Sequence, residues 1–360
     1  MIKIKRALFL VGFIVLFTVL FVINWTFLLL DYLFYPKFRR IKVREPVFIT
    51  GLTRTGSTLL YNAMHLDHRN FTSMKLWEII LAPSITQRKL VRFFTRPAPV
   101  YNFLAHRLLP FIEHHFFGGI RNIHPARFLE IEEDEFVFYQ IFSSGSLFFL
   151  FPRIRHFLRY SQFDESFGEK TRRRSMKFYK RIIQRHLYFH GCEKQYLSKS
   201  PSHTARIKSL KGTFPNLKII YLLRDPKKSV PSTFSLFSAI REGNFVPVTD
   251  NSEFLEDGLE LADHWLWHPL NILHQSPKLP LLIIHSTDLF TKTNQTIMTI
   301  YREFDIRLPD DFMKRMESYN ARQHKSSHSY KAEDFGLTEE LLEKRFMPVY
   351  NALLKEKCDI

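Results

Sequence analysis

The chain has 360 residues, with 52 Lys and Arg against 35 Asp and Glu, a net charge of +17 and two cysteines. This length buries a substantial core in one large domain or two small ones, and two cysteines exclude a disulfide framework. The charge raises nucleic acid as a partner, but the cations are dispersed, several sit beside an apolar run, and no DNA- or RNA-binding signature occurs; a small polyanion and a membrane surface account for it better.

In chain order, residues 1–6 form a basic flank with Lys3, Lys5 and Arg6, followed by residues 7–30, Ala7 to Leu30, without a charge. About 20 apolar residues span a bilayer, so this run predicts a transmembrane helix. It is too long, and lacks the small-residue cleavage site, for a signal peptide. Residues 31–45 form a basic linker carrying Lys37, Arg39, Arg40, Lys42 and Arg44. The heavier cationic flank follows the span, which predicts a single-pass protein with a cytoplasmic domain; sequons at Asn70 and Asn294 suit a Golgi-lumenal alternative.

The rest, residues 46–360, predicts one domain. Val47–Thr50 predicts a strand and Ser57 to Leu66 a helix, joined through the stretch FITGLTRTGSTLL. Residues 86–127 interleave Arg, His, Phe and Pro and predict an irregular insertion, whose part from Lys89 to Phe117 caps an acceptor site or lies against the membrane. Helical pattern returns from Ser175 to His190, then a strand at Tyr196–Ser200 and a helix to Lys211. Leu217–Leu223 has the continuous apolar character of a central parallel strand. Asp225-Pro226 opens a helix, Leu279 to Ile284 is another strand, Asn294 to Phe304 a helix capped by Asn294, and Thr338 to Tyr350 the last helix. Strands alternating with helices predict an α/β fold, a P-loop-like parallel sheet with helices on both faces.

Gly51 and Gly56 have P-loop spacing, and Ser57-Thr58 stand where Lys-Ser/Thr would follow. The lysine is missing, and Arg54 precedes the second glycine by two residues. A strand–loop–helix junction directs backbone N–H groups and the positive end of the helix dipole at an anion. Arg224, ending the central strand, and Ser232 fall at the carboxyl edge of the sheet, where such folds bind ligands, and an arginine there clamps phosphate. Asp225 is open to reading as a metal-binding aspartate, but the absent P-loop lysine weighs against a nucleotidase. The 16 histidines show no cluster with metal-ligand spacing, so no metal is expected.

Taken together, FITGLTRTGSTLL, LSKSPSH, FPNLKIIYLLRDPKKSVPS and the tail HKSSHSYKAEDFGLTEELLEKRFMPVY resemble the sulfotransferase superfamily. The likeness is to a bacterial branch and, more distantly, to tyrosylprotein sulfotransferases; it runs from Pro46 to Tyr350. It implies the cosubstrate 3′-phosphoadenosine 5′-phosphosulfate (PAPS). It also implies that Arg54, Thr55, Gly56, Ser57 and Thr58 hold the 5′-phosphosulfate, that Arg224 and Ser232 hold the 3′-phosphate, and that Lys199 contacts the bridging oxygen of the leaving group. Cations beside the departing phosphate stabilise an in-line displacement, a task Arg54 and Lys199 can perform without a metal, as cations do in phosphoryl transfer. The acceptor hydroxyl needs a base. By the resemblance this is Glu78; the run Glu130-Ile-Glu-Glu-Asp-Glu-Phe136 and His203 are the other candidates. One departure is His285-Ser-Thr-Asp-Leu289, where many relatives have Tyr-Glu-x-Leu, so no adenine contact is carried over. The expectation is a membrane-anchored, PAPS-dependent sulfotransferase acting on a hydrophobic or lipid-linked hydroxyl. A nucleotide kinase or NTPase, and a non-catalytic membrane-surface binding protein, are the alternatives.

Overall fold

Five short apolar segments pair in parallel in the order β2-β3-β1-β4-β5. They are β1 Val47–Gly51, β2 Phe71–Thr72, β3 Gln195–Lys199, β4 Lys218–Leu223 and β5 Leu281–His285. The computed structural model describes residues 2–117, 126–151, 155–244, 246, 251–320 and 331–357. Alternate residues of each strand point to opposite faces. Phe48, Ile219, Tyr221 and Ile283 pack on one side with Tyr179, Ile183, Val230 and Phe234. Val47, Ile49, Ile220 and Leu222 pack on the other with Leu60, Met64, Ile297 and Ile300. The sheet therefore carries helices on both faces, and double burial is why β4 reads as an unbroken apolar run.

The register decides where the chemistry falls. Ile49 pairs with Lys199, and Gly51 pairs with Leu222. The loop after β1, the end of β3 and Arg224 after β4 thus emerge at one carboxyl edge of the sheet.

Three sequence expectations change. Residues 86–127 are not irregular as far as they are described: α4 Ile85–Phe94, α5 Ala98–Phe103, a π-helical turn Leu104–Leu108 and α6 Leu109–Phe117 occupy them; residues 118–125 lie outside the described residues, as do 321–330 of the C-terminal motif. The start of α4 is a capping box that the sequence contains, with Ser84 accepting from the Gln87 N–H at 3.0 Å and Gln87 accepting from the Ser84 N–H at 3.3 Å. A long helix, Asn251–Gln275, went unanticipated. The helix Thr293–Glu303 is preceded by Lys292, not capped by Asn294.

The N-terminal helix α1 spans Ile2–Phe34 and is long and apolar enough to cross a membrane. It does not stop at Asp31, because Asp31 is neutralised inside the protein. Its fully buried carboxylate accepts from the N–H groups of Ile85 and Thr86 at the start of α4, both at 2.9 Å, and from Arg185 Nε at 2.8 Å. An anion at the first turn of α4 complements the helix dipole, and Arg185 supplies the countercharge. Removing one partner of such a buried pair costs about 3–5 kcal/mol. Asp31→Ala is expected to lower stability by that amount, read as a large drop in melting temperature in detergent, with Asp31→Asn falling in between.

Candidate active site

The turn after β1 is held in a conformation few sequences can adopt. Gly51 has φ +137°, and a Cβ there would lie 2.5 Å from the Leu222 carbonyl oxygen. Gly56, with φ +91°, precedes helix α2 Ser57–His65, and its missing Cβ leaves room for the Phe290 ring. Between them Arg54 itself is left-handed at φ 65°, which for a non-glycine residue stores strain. The Thr55 hydroxyl closes the turn on Leu52 O at 2.9 Å and Ser286 donates to Thr55 O at 2.6 Å. Thr55 is buried and offers the cavity no hydroxyl, whereas Ser57 and Thr58 line it.

Arg54, Arg224 and Ser232 come together from three segments. Arg54 Nε donates to Ser232 Oγ at 3.2 Å, and Arg224 Nη1 donates to the Arg54 carbonyl at 2.5 Å. Thr53 and Thr233 clasp the same two segments, with their hydroxyls 2.6 Å apart. The guanidinium groups of Arg54 and Arg224, the hydroxyls of Thr53, Ser57, Thr58 and Ser232, and the N-terminus of α2 therefore border one space.

Lys199 ends β3 and is almost wholly buried; its Nζ lies 2.6 Å from Glu133 Oε1. Burial alone would depress the ammonium, but Glu133 and Glu132 outweigh it and raise its pKa above the ordinary lysine value. The acidic run divides by role. Asp134 accepts from Tyr196 at 2.7 Å, Ser198 at 2.9 Å and His203 Nε2 at 3.1 Å, all fully buried. Burial opposes its ionisation, yet His203 and the Tyr179 and Tyr196 hydroxyls prevail and lower its pKa. Glu135 is taken by Arg206 and by Ser202 at 2.7 Å, and Glu130 pairs with Arg127 on the surface. Glu133 is the member that both lines the cavity and touches Lys199, which, like Glu78, is not itself among the lining residues.

Glu78 is elsewhere, which corrects its expected place over the reacting group. It is the third residue of α3 Leu76–Ile80, and its carboxylate turns back to accept the Lys75 N–H at 2.9 Å. The other oxygen meets His190 Nε2 at 2.5 Å, with Arg88 Nε at 3.7 Å. Burial opposes ionisation, but Arg88, His190 and His186 hold the carboxyl far below the usual range. It is fully buried and does not line the cavity, although Leu76 and Ile80 of the same short helix do. His203, fully buried with Phe48 edge-on at 5.5 Å, is likewise a packing residue.

The cavity itself measures about 1340 Å³. Arg54, Ser57, Arg224, Ser232 and Glu133 line it together with a mainly apolar wall. Phe13 and Phe17 of α1, Leu109 and Ile112 of α6, and Phe136 and Trp265 contribute to that wall. Sequence reasoning named the acidic run without singling out Glu133, and nothing in the sequence pointed to Phe290 or to the reach of α1. Two His–carboxylate groupings also form, Glu78–His186–His190 and Glu165–His264–His268. Both correct the expectation that no histidines have ligand spacing, since His186 and His190, like His264 and His268, sit one helical turn apart. In the first, Arg88 stands 3.2 Å from His186 Nδ1 and close to Glu78, so a cation there would meet a guanidinium.

Solved structures share this architecture. Sulfotransferase STF9 from Mycobacterium avium aligns with a TM-score of 0.73 at 20% identity, over 93% of this chain and 82% of that one. Sulfotransferase STF1 from Mycobacterium tuberculosis aligns with a TM-score of 0.67 at 20% identity, over 89% and 81%. In sequence, the omega-hydroxy-beta-dihydromenaquinone-9 sulfotransferase Stf3 of Mycobacterium bovis is 33% identical over 202 residues, 54% of this chain and 46% of that protein; the Mycobacterium tuberculosis protein of that name matches equally. The chain thus spans about half the length of these curated relatives. Residues 46–311, from the residue before β1 to the start of the helix Phe312–Asn320, match the sulfotransferase family as a whole, and the chain belongs to that family.

Proposed function

We propose that this sulfotransferase moves a sulfuryl group from PAPS to the hydroxyl of a membrane lipid. The observation that carries this reading is the single cavity in which the cationic turn and the apolar wall, including α1, meet. An apolar wall of this extent suits an acceptor with a large hydrocarbon part. The relatives named for a hydroxylated menaquinone support the same class of acceptor.

The donor set suits PAPS. Bound there, the cosubstrate supplies the sulfuryl group, with Arg54, Ser57, Thr58 and the first N–H groups of α2 at the 5′-phosphosulfate, and Arg224 with Ser232 at the 3′-phosphate. Thr55 and Gly56 contribute backbone and shape, not side chains. Lys199 neutralises charge developing on the leaving oxygen. Its ion pair with Glu133 then loosens, leaving that carboxylate to take the acceptor's proton. Glu133 replaces Glu78 as the base because it alone of the two borders the cavity. The cationic flank Lys37 to Arg44 supports a domain held at an anionic membrane surface. Against a nucleotide kinase or NTPase stands the absent P-loop lysine.

Incubation with radiolabelled PAPS and membrane lipid extract is expected to label a lipid. Label only in soluble hydroxyl compounds would reject the acceptor class, and nucleoside triphosphate turnover without PAPS turnover would reject the reading altogether. Arg224→Ala is expected to weaken 3′,5′-adenosine bisphosphate ten- to a hundredfold, since losing a charge-assisted contact costs about 1.5–3 kcal/mol. AMP should be little affected; calorimetry compares the two. Glu133→Gln should lower kcat about 10²–10⁴-fold with nucleotide affinity retained. Glu78→Gln should instead lower the melting temperature while the folded fraction keeps its kcat, and the reverse pattern would return the base to Glu78.

A further inference from the structure

The docking of α1 along its whole length bears on how the protein meets the membrane. Its inward residues recur once per turn: Arg6, Phe9, Phe13, Phe17, Phe21, Asn24, Leu28 and Asp31 are each buried or half-buried. Near the N-terminal end, Arg6 donates to Asn244 O at 3.0 Å and to Leu150 O at 3.1 Å. In the middle, Phe13 meets Phe151 at 6.2 Å and Phe17 meets Phe142 at 5.6 Å between ring centres. Toward the other end, Asn24 donates to Ile80 O at 2.9 Å, Trp25 to Gln140 O at 2.9 Å, and Asp31 binds α4 and Arg185. From Arg6 to Asp31 the helix rises about 37 Å, more than the roughly 30 Å of a bilayer's hydrocarbon core. A helix crossing that core along its normal would put these two ends on opposite sides. The domain, which binds both with polar groups, would then have to run through the hydrocarbon.

The outward face is aliphatic: Val11, Val15, Val22, Leu29 and Leu33 are each more than half exposed. In α4, α5 and α6, Phe93, Phe94, Phe103 and Phe111 are likewise exposed, at 59%, 63%, 58% and 61%. Lys89 lies over the Tyr35 ring at 4.3 Å and Arg96 over Phe93 at 5.7 Å. Past the end of α1, a hollow of about 930 Å³ is lined mainly by cations, among them Arg39, Arg40, Arg44 and Arg181, with Glu45 and Glu193 as its two acids. Exposed aromatics among cations are the composition of an interfacial segment, and the basic hollow complements anionic headgroups.

We infer that α1 lies within one leaflet along the domain rather than crossing the bilayer, and that α1 with α4–α6 forms one surface embedded in anionic lipid. If the acceptor is a lipid, as proposed above, it reaches the cavity from that leaflet between α1 and α6, which both line it. The lie of α1 does not depend on that reading, and its test uses no turnover. Single-cysteine chains are made by Lys5→Cys or Lys37→Cys with Cys192 and Cys358 replaced by serine; a third keeps Cys192, which is exposed. A membrane-impermeant maleimide is added to sealed vesicles of each orientation. All three positions should react from the same side. Reaction of Lys5→Cys only from the side opposite Cys192 would overturn the inference. Nitroxides at Val11, Val15, Val19 and Val22 in vesicles containing phosphatidylglycerol supply a second measure. They should report nearly equal depths; a profile that peaks mid-helix and falls toward both ends means a crossing helix and rejects the proposal.

Discussion

The close approach of β1 to β4 at Gly51 is the constraint on which the site rests. With its missing Cβ position 2.5 Å from the Leu222 carbonyl oxygen, any side chain at residue 51 would force the strands apart at their carboxyl ends. Because that pair sits in register, the turn after β1 starts beside the last residues of β4, and Arg224 can grip the Arg54 carbonyl. The grip holds Arg54 in its left-handed conformation and turns its side chain onto Ser232. Strain in one residue is thus retained by hydrogen bonds from two neighbouring segments.

Charge around the cavity is arranged by burial. Carboxylates from one short run end in different surroundings: Asp134 among tyrosines and a histidine, Glu135 against Arg206, Glu133 against Lys199. Two of these are internal ties that fix the segment to β3 and to the turn after it. The third, Glu133, stands between the buried Lys199 and the open cavity. A run of acids on a solvated face would have no such division of surroundings.

The sheet was readable because β1 and β4 are buried on both faces, so their apolar runs needed no tertiary knowledge. The shape of the turn after β1 was readable because its glycines and hydroxyls are local. Glu78 was misplaced for the opposite reason. Counting residues from the turn gives a distance along the chain, but the capping geometry of α3 and the reach of His190 and Arg88 from two other helices decide its direction. The insertion hid its helices behind Pro97, Pro110 and exposed phenylalanines, although Ser84 and Gln87 marked one start. The contribution of α1 to the cavity was not legible, since an apolar run long enough to cross a membrane says nothing of what its inward face touches.

The bond between Asp31 and Arg185 joins residues 154 positions apart. At synthesis rates of roughly 5–20 residues per second, the arginine leaves the ribosome on the order of 10–30 seconds after the aspartate. Over that interval the acidic end of α1 lacks the arginine that it binds in the folded chain. An unpaired carboxylate resists entry into hydrocarbon, so on a membrane the C-terminal end of α1 would stay at the water boundary until the helix bearing Arg185 had been made. The order of synthesis therefore holds open the surface on which the later domain closes.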